Sequence, residues 1–180
     1  HSEPVVAPQQ SFAYQRDIKP ILENRCMACH GCYDAPCQLK LTSADGVKRG
    51  ASQLQVYDAA RLEDMLPTRL GTDAQSEAQW REQGFFSVLH DADEGVASGL
   101  DGSLLFRMLE LGQRNPLPPN SRLPDNIKIG TSHSFSCPTL DTFADYAQAN
   151  PHGGMPYATT GLSAEEFARL SQWIAEGAVT

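Results

Sequence analysis

Residues 26–30 read Cys26-Met27-Ala28-Cys29-His30, the C-x-x-C-H spacing at which a haem is attached covalently. Two thiols three positions apart can each add to one haem vinyl group. A histidine directly after the second cysteine then brings an imidazole nitrogen under the iron. A bare C-x-x-C would leave thiol redox chemistry and zinc open. The redox reading expects a βαβ setting that the flanking sequence lacks, and zinc expects a second ligand pair at finger or ribbon spacing. Cys26 and Cys29 are therefore the expected thioether residues and His30 the expected first axial ligand of one covalent haem c.

Working outward, a helix is expected from about Asp17 to Cys26. Asp17 serves as its cap, Pro20 sits in its first turn, and Ile18, Ile21 and Leu22 share a face. The strongest helix signal lies at the other end, from about Ala164 to Glu176. Ser163 and Glu166 form an S-x-x-E capping box, and Gly177 stops the helix. Phe167, Leu170 and Ile174, with Trp173 beside them, make an apolar face suited to packing on the first helix. Between these lies Pro151-His152-Gly153-Gly154-Met155-Pro156-Tyr157. Its glycines permit close backbone approach and Pro156 stiffens the loop, which makes Met155 the expected second axial ligand. His152 is the nearest rival. Met65 and Met108 are weaker, Met108 reading as core, and His90 and His133 read as isolated loop histidines.

These signals predict an all-α, elaborated monohaem cytochrome c fold, one domain over residues 1–180. A loose arm occupies about 1–12, and a long insertion, about 41–135, separates the haem motif from the Met155 loop. The insertion reads as helices at about Asp45 to Gly50, Asp73 to Gln83 (capped by Thr72 or Asp73) and Ser103 to Leu111 (capped near Asp101, stopped by Gly112). A further helix, about Leu140 to Ala149, leads into the Met155 loop. Four prolines between Asn115 and Pro124 exclude regular helix there. No stretch alternates for long enough to predict a strand, and there is no second C-x-x-C-H.

The 180 residues carry a formal charge of −8, which disfavours a nucleic-acid partner and broad docking on anionic lipid. With 41% hydrophobic and 20% charged residues, the composition is that of a globular chain and not of a disordered one. No apolar run approaches the ~20 residues of a transmembrane helix. His1-Ser2-Glu3-Pro4 has no basic-then-apolar leader, so His1 is read as a mature or artificial terminus. Haem c is attached after export, which predicts a periplasmic protein. Beyond the haem pair remain Cys32, Cys37 and Cys137. Cys32 and Cys37 flank a Pro36 turn and are the favoured disulfide. A bridge to Cys137 would close a longer loop and stabilise more in the chain-entropy model, and three reduced thiols are the remaining alternative.

The stretch Asp17-Ile18-Lys19-Pro20-Ile21-Leu22 followed by the haem motif looks like many bacterial cytochrome c sequences. The block His30-Gly31-Cys32-Tyr33-Asp34-Ala35-Pro36-Cys37-Gln38-Leu39-Lys40-Leu41 is narrower and resembles the haem region of the bacterial fatty acid cis/trans isomerase. Arg49-Gly50-Ala51-Ser52, Pro67-Thr68-Arg69-Leu70, Trp80-Arg81, Gly84-Phe85-Phe86 and Met155-Pro156-Tyr157 also look like that family. The resemblance implies a periplasmic isomerase that converts cis-unsaturated fatty acids of membrane phospholipids to trans, without net redox change. Members of that family are considerably longer, so the chain is expected to be an excised or a naturally shorter haem domain.

Haem chemistry suits that reaction. Rotation about a C=C bond breaks the π bond, a cost far above the ~20 kcal/mol of a partly double peptide bond. A turnover of ~10 per second tolerates a barrier of about 16 kcal/mol. Transient removal of one π electron would lower the bond order, and His/Met ligation raises the iron potential in that direction. A six-coordinate iron leaves two routes, transfer through the haem edge or departure of Met155. Leu66, Leu70, Phe85, Phe86, Val88 and Leu89 are candidates for an acyl groove or, equally, for core. The alternative function is an electron-transfer cytochrome, or an electron-entry module for a periplasmic redox partner, which the ligand set supports equally well. A redox or ligand sensor has no specific residues behind it.

Overall fold

Ser163 and Glu166 start the last helix as expected. The Ser163 hydroxyl accepts the Glu166 N–H and the Glu166 carboxylate accepts the Ser163 N–H. The helix, α7 (Ala164–Ala175), ends before Gly177, whose φ of +85° suits glycine. The computed structural model describes residues 13–31, 35–53, 74–90, 99–127 and 137–180. The expected arm, Met65, Leu66, Leu70, Thr72, Asp73, Cys32 and His133 lie outside the described residues. The helix expected from Asp73 starts instead at Glu77, with Ser76, not Thr72 or Asp73, as its cap.

Before α7 the described elements are, in order, a π-helical stretch Tyr14–Ile18, α1 (Lys19–Arg25), α2 (Met27–His30) and a 3-10 turn Pro36–Gln38. Then come α3 (Ala44–Arg49), β1 (Ala51–Ser52), α4 (Glu77–Glu82), β2 (Phe85–Phe86), a 3-10 turn Leu100–Gly102, α5 (Leu104–Arg114) and α6 (Phe143–Ala149).

The all-α cytochrome c expectation is corrected by the sheet. β1 and β2 pair antiparallel, Ala51 opposite Phe86 and Ser52 opposite Phe85, and helix accounts for only about half of the described residues. Two-residue strands leave no period-2 pattern to read. What permits the pairing is backbone approach: Gly50 has φ +84°, and a Cβ there would stand 2.0 Å from the Phe86 carbonyl oxygen.

Asp17 is not the first cap either. Helical backbone begins three residues earlier at Tyr14, and the Asp17 carboxylate instead accepts the Ala13 N–H at 3.0 Å while paired with Arg16. α5 does not stop at Gly112 but runs through it to Arg114. Its cap is Ser103, fully buried, which accepts the Phe106 N–H and donates to the Val88 carbonyl.

The core joins the first described helices to the last. Ile18, Ile21 and Leu22 from the first helices pack in one cluster with Leu104, Leu105, Met108, Leu109 and Leu111 of α5 and Leu170, Trp173 and Ile174 of α7. Tyr14 and Trp173 lie 5.9 Å apart between ring centroids. At the other end Arg25 reaches Glu166, so the first helical stretch and α7 run in opposite directions. Fully burying a large apolar side chain contributes about 1.5–3 kcal/mol, so this face explains why the first described helices pack on α7. A smaller cluster of Ala74, Trp80 and Phe85 lies beside the sheet.

Candidate functional site

The four residues of α2 follow directly on Cys26, whose carbonyl accepts the His30 N–H at 2.9 Å. One helical turn thus carries Cys26, Cys29 and His30, at spacings that bring them to neighbouring positions. Cys26 and Cys29 are free thiols, Cys29 exposed and Cys26 partly buried. Burial pushes the Cys26 thiol up to about 11, against the pull of the Arg25 guanidinium, so at neutral pH it is protonated and a poor ligand for a bare ion. Among the described residues, no group of three or more His, Cys, Asp or Glu side chains is arranged to hold a metal ion.

His30 is buried at 7% exposure, and its Nδ1–H donates to the Leu39 carbonyl at 3.0 Å. Burial lowers its pKa, against the upward pull of that carbonyl. The ring is therefore a neutral imidazole with Nδ1 protonated, leaving the Nε2 lone pair to coordinate. This donor set fits a covalent haem: two free thiols at the right spacing, and one histidine whose tautomer is held by a carbonyl. The His30 carbonyl also accepts the Leu41 N–H at 3.0 Å, which closes the loop between them from both sides.

Arg25, just before the motif, anchors this turn to the far end of the chain. Its guanidinium donates to the Thr160 and Gly161 carbonyls at 2.5 and 2.8 Å, and lies 3.8 Å from Glu166, the residue that caps α7.

Met155 is partly buried and packs against the same core cluster as Cys26 and Leu39. Its N–H donates to the Met108 carbonyl of α5 at 2.9 Å. Gly154 presses on α5 at Gly112, where no side chain fits on either residue. Tyr146 of α6 donates its hydroxyl to the Gly153 carbonyl at 2.8 Å. Two helices, α5 at Met108 and Gly112 and α6 at Tyr146, thus fix the backbone around Met155. His152, the rival ligand, is engaged through Nδ1 with the Asn126 side-chain amide at 3.0 Å. His90 donates Nε2–H to the Ile174 carbonyl at 3.3 Å, and Met108 is buried core.

The expected Cys32–Cys37 disulfide is corrected. Cys37 is bonded to Cys137, with 5.6 Å between their Cα atoms. The choice follows chain geometry. Cys37 and Gln38 both adopt left-handed backbone, φ +58° and +52°, and the turn brings Cys37 to Cys137 beside β1, where Gln53 donates to the Cys137 carbonyl.

The four groove candidates among the described residues, Phe85, Phe86, Val88 and Leu89, pack into the core. Val88 is 2% exposed, Phe85 lies against Trp80, and Phe86 and Leu89 pack on the main cluster. Sequence reasoning missed Arg49, which is 2% exposed. Its guanidinium stands over Phe85 at 4.8 Å and Trp80 at 5.4 Å and donates to the Gln38 carbonyl. Arg81 in turn donates to the Arg49 carbonyl at 2.7 Å. The available signal was that Arg49-Gly50, Trp80-Arg81 and Phe85-Phe86 all belonged to the resembling blocks.

A family model described as fatty acid cis/trans isomerase (CTI) matches residues 65–180, well over half of the chain. No curated protein and no solved structure shows a significant match.

Proposed function

Because the chain belongs to the fatty acid cis/trans isomerase family and is thereby an isomerase by class, we propose that residues 26–30 hold the redox centre of that isomerisation, one covalent haem c. The observation that carries this reading is the buried His30, with Nδ1 spent on the Leu39 carbonyl and flanked by two free thiols at haem-attachment spacing. Cys26 and Cys29 would hold the haem covalently, and His30 and Met155 would supply its iron ligands. Bound haem would supply a one-electron acceptor able to relax a double bond transiently.

The chain's own residues do the positioning. Leu39 orients the imidazole. Gly112, Gly154 and Tyr146 seat the thioether loop, and Arg25 locks the cysteine turn to the start of α7. The substrates are cis-unsaturated fatty acids drawn from membrane phospholipids, and the compartment is the periplasm, where haem c attachment and disulfide formation are both supported. No helix among the described residues is long and apolar enough to cross a membrane. The family match favours isomerisation over the electron-carrier reading.

The test incubates the protein with a cis-monounsaturated fatty acid and measures the trans product by gas chromatography, with His30→Ala in parallel. Trans product from wild type and none from His30→Ala is expected. A wild-type protein that makes none, yet is reduced and reoxidised by a periplasmic partner, would hand the function to electron transfer.

A further inference from the structure

We propose that Arg49 is a positioning residue for His30, acting through two successive backbone carbonyls. The inference rests on the haem reading above, but the geometry behind it stands in the bare chain. The Gln38 carbonyl accepts from the Arg49 guanidinium, and the next carbonyl, that of Leu39, accepts from His30 Nδ1 at 3.0 Å. Holding the first carbonyl sets the peptide plane that aims the second.

The turn needs holding. Cys37 and Gln38 are two consecutive non-glycine residues with left-handed backbone, a conformation that costs about 1–2 kcal/mol per residue. Such backbone persists only where the surroundings over-determine it. Here the surroundings are the Cys37–Cys137 bond on one side and Arg49 on the other. Gln38 itself is 4% exposed, so its carbonyl has little access to water as a substitute partner.

Arg49 is equipped for this task. A guanidinium remains charged when buried, and a cation that only filled space could be replaced by an apolar side chain without loss. This one lies against Phe85 and Trp80, which fix its plane, and Arg81 holds its backbone carbonyl. The arrangement carries the orientation of the β2 and α4 aromatics to the imidazole. A ligand histidine's Nδ1 partner tunes both ring direction and basicity, with effects of about 10–100-fold on metal affinity or activity when lost. Arg49 stands one bond further out, and its effect comes through that partner.

The experiment uses the full chain with its haem and compares wild type, Arg49→Met and Arg49→Lys. Methionine keeps the apolar contact with the rings but donates nothing. Lysine keeps charge without the planar fork. The readings are the midpoint potential, thermal unfolding, and hydrogen exchange of the Leu41 amide, which bonds the His30 carbonyl. In folded Arg49→Met the Nδ1 bond loosens, the imidazole becomes a weaker donor to ferric iron, and the potential rises. Leu41 exchange speeds up, and Arg49→Lys falls between. A folded Arg49→Met with wild-type potential and wild-type Leu41 exchange overturns the proposal. Should Arg49→Met fail to fold, Arg49→Lys decides, and values identical to wild type overturn it. Should wild type carry no covalent haem, the haem reading fails separately. The ring tautomer of His30, read by nitrogen NMR, then decides: Nδ1–H in wild type and a mixture in Arg49→Met is expected, and the same tautomer in both overturns the inference.

Discussion

Gly112 and Gly154 meet backbone to backbone: a Cβ on Gly154 would stand 2.1 Å from the Gly112 nitrogen, and one on Gly112 would stand 2.3 Å from the Met155 carbonyl oxygen. Alanine at an ordinary mid-helix position stabilises by about 1 kcal/mol over glycine. Overpacking against fixed backbone costs about 1–3 kcal/mol, and here the neighbours are themselves backbone. Gly112→Ala is therefore expected to destabilise on balance, with a lower denaturation midpoint. A stabilised variant would show that the Met155 loop does not rest on α5.

Met155→Ala is expected to leave the haem attached and low in potential while abolishing the weak long-wavelength charge-transfer band of methionine-ligated ferric haem. The absorption spectrum of the oxidised protein checks this. An unchanged spectrum removes Met155 from the ligand set.

Peptide mapping under non-reducing conditions should recover a Cys37–Cys137 linked pair. The bond closes a loop with a sequence separation of 100, and Cys137→Ser is expected to cost about 2–5 kcal/mol in denaturant unfolding. A Cys32–Cys37 peptide in the map would restore the local pairing.

Tyr146 ties pH to the same loop. Burial, and then the nearby Tyr157 phenol, push its pKa from 10.0 up to about 12. Its folded pKa thus exceeds its unfolded one, so its contribution is whole below pH ~10 and is lost as pH rises towards 12. Tyr146→Phe should lose the bond to the Gly153 carbonyl, about 1 kcal/mol at neutral pH, and flatten the alkaline fall in stability. Unfolding midpoints measured at pH 7 and across the alkaline range check both effects. An alkaline limb as steep as in wild type would remove Tyr146 as its source.

The parts legible in the sequence are those whose partners lie within one turn. Ser163 and Glu166 cap each other across three residues, and Cys26, Cys29 and His30 share one helical turn. The parts that were hidden depend on distant backbone. The β1–β2 pairing hangs on a glycine 36 positions before its neighbour Phe86 and leaves no alternation behind. Cys137 competes with Cys32 for Cys37 through a fold-level approach that sequence distance argues against. Arg49 reads as an ordinary basic residue near a helix end until Trp80 and Phe85 are placed over it. Gly112 reads as a stop because sequence shows its helix propensity and not the loop pressed upon it.

The clasp between Arg25 and the carbonyls of Thr160 and Gly161 spans 135 and 136 residues, and that distance sets an order of events in time. A chain is synthesised from its N-terminus at about 5–20 residues per second. The turn bearing Cys26 and Cys29 therefore emerges many seconds before the partners that hold it exist. Until residues 160–166 arrive, Arg25, the neighbour of Cys26, has none of the partners that tie its turn to the start of α7.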